Sequence, residues 1–570
     1  MQGDQLMMNV KTVYYPLKIK HLFAGFFFLA ALIFRLMTAH QLEITKPEAQ
    51  ILLQITQGNA GLNGQASILY QVLTIPLMRF FGNSNLVVRF WPLLAGSLLI
   101  LLPLLFEDIL GKRGAVILCF LIALDPFVNV NSIILSGNTI TLCLLVLTAD
   151  CLRKQRYLTG TISLIGLLLS GASLIYAGLL MIFLTIYGVL HTKRNPLKNT
   201  GAVLWDYLRQ HLSLLGLIFV IIAVSTFLLQ IPLSDFAGNF LYVLQRWGQP
   251  YNLGDTPPLY PIALLSYFPM GIILLIIQRS HNKNAPSTQL NLWILVSLIM
   301  IALNPGHQMI DLVWVSLPVC LLGALKLDEI ITDQEAGSNR QGIYVTIFAS
   351  LLVSLAITVV MVIYQFNWGL SVISGLLSTI TLLIFITMAF IFLAYSESVS
   401  LAASTARLSA LIVFLVIQVG FSWRALGLNG NPSAEILWGG YYQGADVVRQ
   451  IIENADLDTV KTHLDHQVAF LAESNDAVKW GVSRTYPIKE QPLSLGEASH
   501  AVVITTTNDE LTGRTFESYL GQQFIADSYP MWTWQPLKSL LDSDYWSWLI
   551  FRQARMCDGY QTIWVNQKVF

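Results

Sequence analysis

Apolar runs of about 20 residues recur along most of the chain, each long enough to cross a ~30 Å hydrocarbon core. They fall at 19–37, 86–106, 114–131, 135–152, 158–170, 172–190, 211–229, 259–279, 290–303, 309–325, 342–364, 369–395 and 406–424. This spacing predicts a polytopic all-α membrane bundle of about 13 transmembrane helices. Two long polar intervals interrupt it, at 38–85 and 230–258. The first holds a half-apolar stretch, 67–81, which ends in Arg79 and a Gly82 stop and reads as an interfacial helix. The second carries Tyr242, Arg246, Trp247, Tyr251 and Asp255, followed by Pro257-Pro258. After Arg424 the period changes. Residues 445–455 are helical in pattern, while 501–507 and 563–570 are strand-like. The expected domains are therefore a bundle over 1–425 and a small α/β domain over 426–570.

Composition supports the membrane reading. The 570 residues are 55% hydrophobic and only 12% charged, whereas soluble domains carry about a quarter charged residues. Most of the Lys and Arg fall in alternate loops, at Lys112-Arg113, Arg153-Lys154, Lys193-Arg194 and the stretch from Lys326 to Arg340. The positive-inside rule then places these loops and the N-terminus in the cytoplasm, with the tail domain extracytoplasmic. Lys11, Lys18 and Lys20 precede an apolar run with no small-residue cleavage site after it, which fits an uncleaved first helix in the cell (plasma) membrane. Zero net charge gives no support to nucleic acid as a partner. The five cysteines are scattered, without the spacing of a disulfide framework or a zinc site.

Candidate chemistry concentrates at the outer ends of the spans. Glu48, in the first long loop, has the chemistry of a general base or of a ligand for a divalent cation; it could equally be a solvated acid balancing Lys46. Arg79, Arg89 and Arg246 fall near head-group level, where a guanidinium can grip a phosphate bidentately or snorkel to phospholipids. Arg35 lies within the first span, where an unpaired charge is costly. His307 and Asp311 are four residues apart at an outer turn, suited to a substrate contact or to capping. Met531-Trp532-Thr-Trp534 and Tyr545-Trp546-Ser-Trp548 could stack on sugars or sit in a core or interface. Asp125-Pro126 reads as a helix break or a cavity lining. No phosphate-binding glycine loop or HExxH motif is present, so soluble nucleotide chemistry has no support.

Taken together, Arg35 at the end of the first span, Pro47-Glu48-Ala49, Leu69-Tyr70, and Phe81-Gly82-Asn-Ser84 followed by Arg89 resemble the GT-C superfamily of polytopic glycosyltransferases. The likeness is to the protein O-mannosyltransferase and aminoarabinose transferase type, glycosyltransferase family 39, and is concentrated in residues 30–155. It implies transfer of a sugar from a polyprenyl-phosphate donor to an extracytoplasmic acceptor, which could be a protein, a lipid or a glycan. Glu48 would then be the catalytic base, with Arg35, Tyr70, Arg79, Arg89, Arg246, His307 and Asp311 around substrate and phosphate; no cofactor is fixed by the resemblance, and a divalent cation is compatible with it. The chain departs from the family pattern twice: Pro47 replaces an Asp, and Gln65-Ala66 replaces a Lys-Pro step. These departures keep a second reading open, a catalytically inactive GT-C-like subunit of a membrane complex with partner proteins. A third, a lipid-linked sugar flippase, calls for polar groups at mid-span, of which there are few.

Overall fold

The computed structural model describes residues 19–57, 67–154, 156–191, 259–278, 285–304, 308–335, 339–367, 372–427, 435–438, 444–459, 465–471, 476–484, 488–491, 500–506, 519–530, 543–553 and 555–566. Helix α1 (Ile19–Gln41) leads into two short loop helices, α2 (Lys46–Gln57) and α3 (Ile68–Phe81). The turn after α3 follows from three residues. Gly82 ends α3 at φ +78°, a conformation that favours glycine, and the Ser84 hydroxyl accepts the Val87 N–H to start α4 (Asn85–Leu101). A short 3₁₀ segment, Leu102–Phe106, continues into α5 (Glu107–Ala123), and the chain doubles back at Gly111, φ +76°. Its return brings Ser132 against Gly96 of α4, so closely that a Cβ on Gly96 would lie 2.6 Å from the Ser132 Cβ.

Asp125-Pro126 resolves as a helix start. The Asp125 carboxylate accepts the N–H groups of Phe127 and Val128 at 2.9 and 3.3 Å and caps α6 (Pro126–Asn131), with proline in the first turn, where it is tolerated. Next come α7 (Asn138–Arg153), α8 (Tyr157–Leu168) and α9 (Leu174–His191). The run at 259–279 is divided at Phe268 into α10 (Leu259–Tyr267) and α11 (Pro269–Gln278). Helices α12 (Ala285–Leu303), α13 (Val313–Glu335), α14 (Asn339–Asn367), α15 (Ile373–Ser396) and α16 (Val399–Ala425) complete the described bundle. The run at 211–229 lies outside the described residues. Six described helical stretches are long and apolar enough to cross a membrane by length and composition. Their outward residues on α14 and α15, among them Ile357, Leu377, Phe385 and Phe392, are large, apolar and exposed, as lipid-facing surfaces are. The chain is a multi-pass membrane protein.

The tail contains α17 (Gly444–Thr459), β1 (Asp465–Leu471), α18 (Asp476–Ser483), β2 (Ile488–Gln491), β3 (His500–Thr506), β4 (Tyr519–Pro530), α19 (Ser543–Phe551) and β5 (Met556–Asn566). The sheet order is β2-β1-β3-β5-β4: β1 runs parallel to β2 and β3, and β5 runs antiparallel to β3 and β4. Its own core is Val448 and Ile452 of α17 and Val478 and Val482 of α18, packed on Val502, Ile504, Phe524 and Ile563.

Among the described residues, the tail is fastened to the bundle at two places. Trp480 and Ala477 of α18 join Ala49, Leu52, Leu53 and Tyr70 of the loop helices in one buried cluster. Gln50 donates to Asp476 at 2.8 Å, and Arg484 donates to Asn85 at 2.9 Å. The second contact places Tyr545 and Trp548 of α19 in the main bundle core. Since Asn85 begins α4 and touches the tail, the end of the bundle bearing the loop helices and the tail is termed the loop pole. The opposite end is the basic pole, where Lys20 pairs with Glu107, Arg153 with Asp108 and Asp150, and Lys326 with Glu329.

Candidate functional site

The loop pole is organised around one buried ion pair. Thr45-Lys46-Pro47-Glu48 is a helix-start sequence: Glu48, at the third position of α2, reaches back to the Thr45 N–H at 2.8 Å and also accepts the Thr45 hydroxyl at 2.9 Å. Pro47 sits in the first turn, where a missing N–H removes no helical bond. Arg89, on the inward face of α4, meets the same carboxylate side by side, Nε to Oε1 at 2.9 Å and Nη2 to Oε2 at 2.7 Å. Its other donors close on the end of α1 and the loop: Nη1 on the carbonyls of Leu42 and Ala39 at 2.8 and 3.3 Å, and Nη2 on that of Glu43 at 2.8 Å. The Leu135 N–H completes the Glu48 shell at 3.1 Å.

This geometry bears on two sequence expectations. All five Arg89 N–H groups are engaged, and both Glu48 oxygens accept at least two donors. With exposures of 0% and 1%, both side chains are buried. In this arrangement the Glu48 carboxylate, expected as a base, and the Arg89 guanidinium, expected at a phosphate, are bonded to each other and to the chain around them. Together they bind α1, α2, α4 and the turn after α6 into one rigid floor.

Arg35 is also internal. Its Nε and Nη2 donate to Asn129 at 3.1 and 2.7 Å and its Nη1 donates to Ser97 at 3.2 Å, while the Asp125 carboxylate acts on it through space. Tyr70 is buried, with its hydroxyl on the Val88 carbonyl at 2.6 Å. Neither side chain faces an open site. Arg79 is exposed at the end of α3, beside exposed Phe80 and Phe81, apart from the Glu48–Arg89 pair. Arg246 and His307 lie outside the described residues, as do Trp532 and Trp534.

Asp311 belongs to a second buried polar cluster next to the first. It accepts Asn138 at 2.9 Å, the Tyr176 hydroxyl at 3.2 Å and the Gln308 N–H at 3.0 Å. Asn304 donates to Tyr176 at 2.7 Å, and Ser173 and the Trp314 indole donate to Asn138 at 2.8 and 3.1 Å. The turn from Asn131 to Asn138 joins the two clusters, since its Leu135 N–H bonds Glu48 while Asn131 and Asn138 share a bond at 3.2 Å. Asn138 and Tyr176 carried no sequence signal, because each is an isolated polar residue near the start of an apolar run.

A third cluster was equally hidden. Arg552 of the tail pairs with Glu435 at 2.8 Å, and Tyr267, at the α10–α11 break, donates to the same carboxylate at 2.5 Å. The Arg552 guanidinium lies over the Trp548 ring at 4.3 Å and the Tyr267 ring at 5.0 Å. Tyr545 and Trp548 are therefore interior residues rather than an exposed sugar platform; Trp546 of the same group is exposed. Among the described residues, no group of three His, Cys, Asp or Glu is placed to hold a metal ion.

An apolar bundle, two loop helices docked at one pole and a mixed sheet domain fastened to them make up the fold. Two crystal structures of ArnT from Cupriavidus metallidurans share it. The apo state superposes with a TM-score of 0.53 at 12% identity, covering 96% of this chain and 98% of that chain. The form bound to undecaprenyl phosphate gives a TM-score of 0.50 at 13% identity, covering 85% and 93%. No protein-family model and no curated protein matches the chain by sequence.

Proposed function

We propose that this chain is a membrane glycosyltransferase of the GT-C type. In this reading it takes a sugar from a polyprenyl-phosphate donor and passes it to an acceptor at the loop pole, on the extracytoplasmic side. The observation that carries the reading is the ArnT fold over nearly the full length of both chains, with undecaprenyl phosphate bound in one of those structures. The buried clusters around Glu48 and Asp311 support it in a structural role: they fix the loop helices so that a donor pocket above them has a rigid base.

The saturated Glu48 favours a second reading, a GT-C scaffold without the reaction. Pro47 fits α2 as a helix-start residue and offers no base, and the neighbouring carboxylate is consumed by Arg89. Both readings keep the lipid, and only the first keeps turnover. Lipid binding is tested by native mass spectrometry of the full-length protein with undecaprenyl phosphate or undecaprenol. The transferase reading expects one phosphate-bearing lipid retained per chain and no retained undecaprenol; failure to retain either lipid contradicts it.

A further inference from the structure

At the basic pole the bundle contains a cavity of about 310 Å³ with an almost wholly apolar lining. Its walls include Leu102, Phe106, Ile109, Ala149, Met181 and Trp293, contributed by the α4–α5 connection and by α5, α7, α9 and α12. Ile109 is 62% exposed and Met181 39%, so the cavity opens sideways, toward hydrocarbon. The volume lies at the lower end of the roughly 300–1,000 Å³ range of small-molecule sites. The Trp293 indole N–H is buried and has no hydrogen-bond partner.

The rim of this cavity is cationic. One turn beyond Ala149 on α7, the Arg153 guanidinium stacks 5.0 Å over the Phe106 ring, a wall of the cavity, with its Nε–H lacking an acceptor. Lys154 donates to the Leu105 carbonyl at 2.9 Å and pairs with Asp150 at 2.9 Å, and Lys112 and Arg156 stand exposed at the same pole. Asp108 and Asp150 neutralise part of this charge. The remaining cations and the unpartnered N–H complement an anion.

We infer that this cavity is a binding site for an anionic phospholipid of the basic-pole leaflet, one acyl chain filling it and the phosphate resting against Arg153 and Lys154. Apolar filling alone would not select the ligand, because the bilayer offers the chain an equally apolar alternative. Selectivity has to come from the head group. The inference is independent of the transferase reading, which concerns the other pole.

The test is native mass spectrometry of the full-length protein released from vesicles of equal phosphatidylglycerol and phosphatidylcholine with a trace of undecaprenyl phosphate. Wild type is expected to retain one phosphatidylglycerol per chain, favoured over phosphatidylcholine by roughly five-fold, as one basic side chain near an anionic head group provides. Ala149→Trp, which fills the cavity and leaves every ion pair in place, should abolish this retention. Lys154→Gln should bring the two lipids close to parity. Equal retention of both phospholipids by wild type overturns the inference, as does unchanged phosphatidylglycerol in Ala149→Trp. Undecaprenyl phosphate as the lipid that Ala149→Trp expels overturns it as well, by assigning the cavity to the donor's own tail.

Discussion

Arg89 has five donors and the loop pole supplies an acceptor for each, so its charge is compensated without water. Removing one partner of such a pair leaves a bare charge in a low-dielectric interior and costs about 3–5 kcal/mol. Glu48→Gln and Arg89→Met are therefore each expected to lower the thermal unfolding midpoint in detergent sharply. The double variant Glu48→Leu/Arg89→Met should unfold at a higher temperature than either single one. Additive losses would show that the two side chains act independently. The sequence does contain a helix-start pattern, Thr45-x-x-Glu48 ahead of an apolar run, which the reading of Glu48 as a base or solvated acid did not use. The pairing of Glu48 with Arg89 was not legible. The two residues stand 41 positions apart, and only the turn at Gly82 and Ser84 brings the inward face of α4 beneath α2.

Helix positions were easier to read than helix contacts. The apolar runs marked most of the described spans, since a bilayer requires about 20 apolar residues whatever their neighbours. The Phe81-Gly82-Asn-Ser84 stretch works as a stop followed by a start: Gly82 supplies the positive φ and Ser84 the cap. The run at 259–279 reads as one span by hydropathy, because both halves are apolar; its division follows from Pro269, which starts α11 and disfavours helix at Phe268 before it. Close approach of elements yields a sharper expectation at Gly96. A methyl there meets Ser132, so Gly96→Ala should destabilise by about 1–3 kcal/mol through overpacking. Adding Ser132→Gly should recover much of that loss, as read by denaturant or thermal unfolding. A harmless Gly96→Ala would mean that α4 and the turn after α6 are further apart.

At the scale of the whole molecule, the tail is fastened to the bundle by α18 on the loop helices and by α19 in the main core. Glu435 and Arg552, separated by 117 positions, carry no motif and are joined only by the folded tail. Arg552→Met is expected to strand the Glu435 carboxylate and loosen α19, seen as faster amide exchange across 543–551 with little change in α17. Unchanged exchange would place the anchor elsewhere. The positive-inside pattern further predicts that fusing a reporter after Phe570 gives activity only on the extracytoplasmic side; cytoplasmic activity would invert the bundle. The claim that joins fold to function is turnover of a lipid-linked sugar, and it is tested most directly in proteoliposomes of the full-length protein supplied with polyprenyl-phosphate sugars and cell-envelope acceptors. The transferase account predicts acceptor-dependent release of polyprenyl phosphate with the sugar covalently moved to the acceptor. Donor that stays intact while the protein binds it would contradict that account and leave a GT-C scaffold.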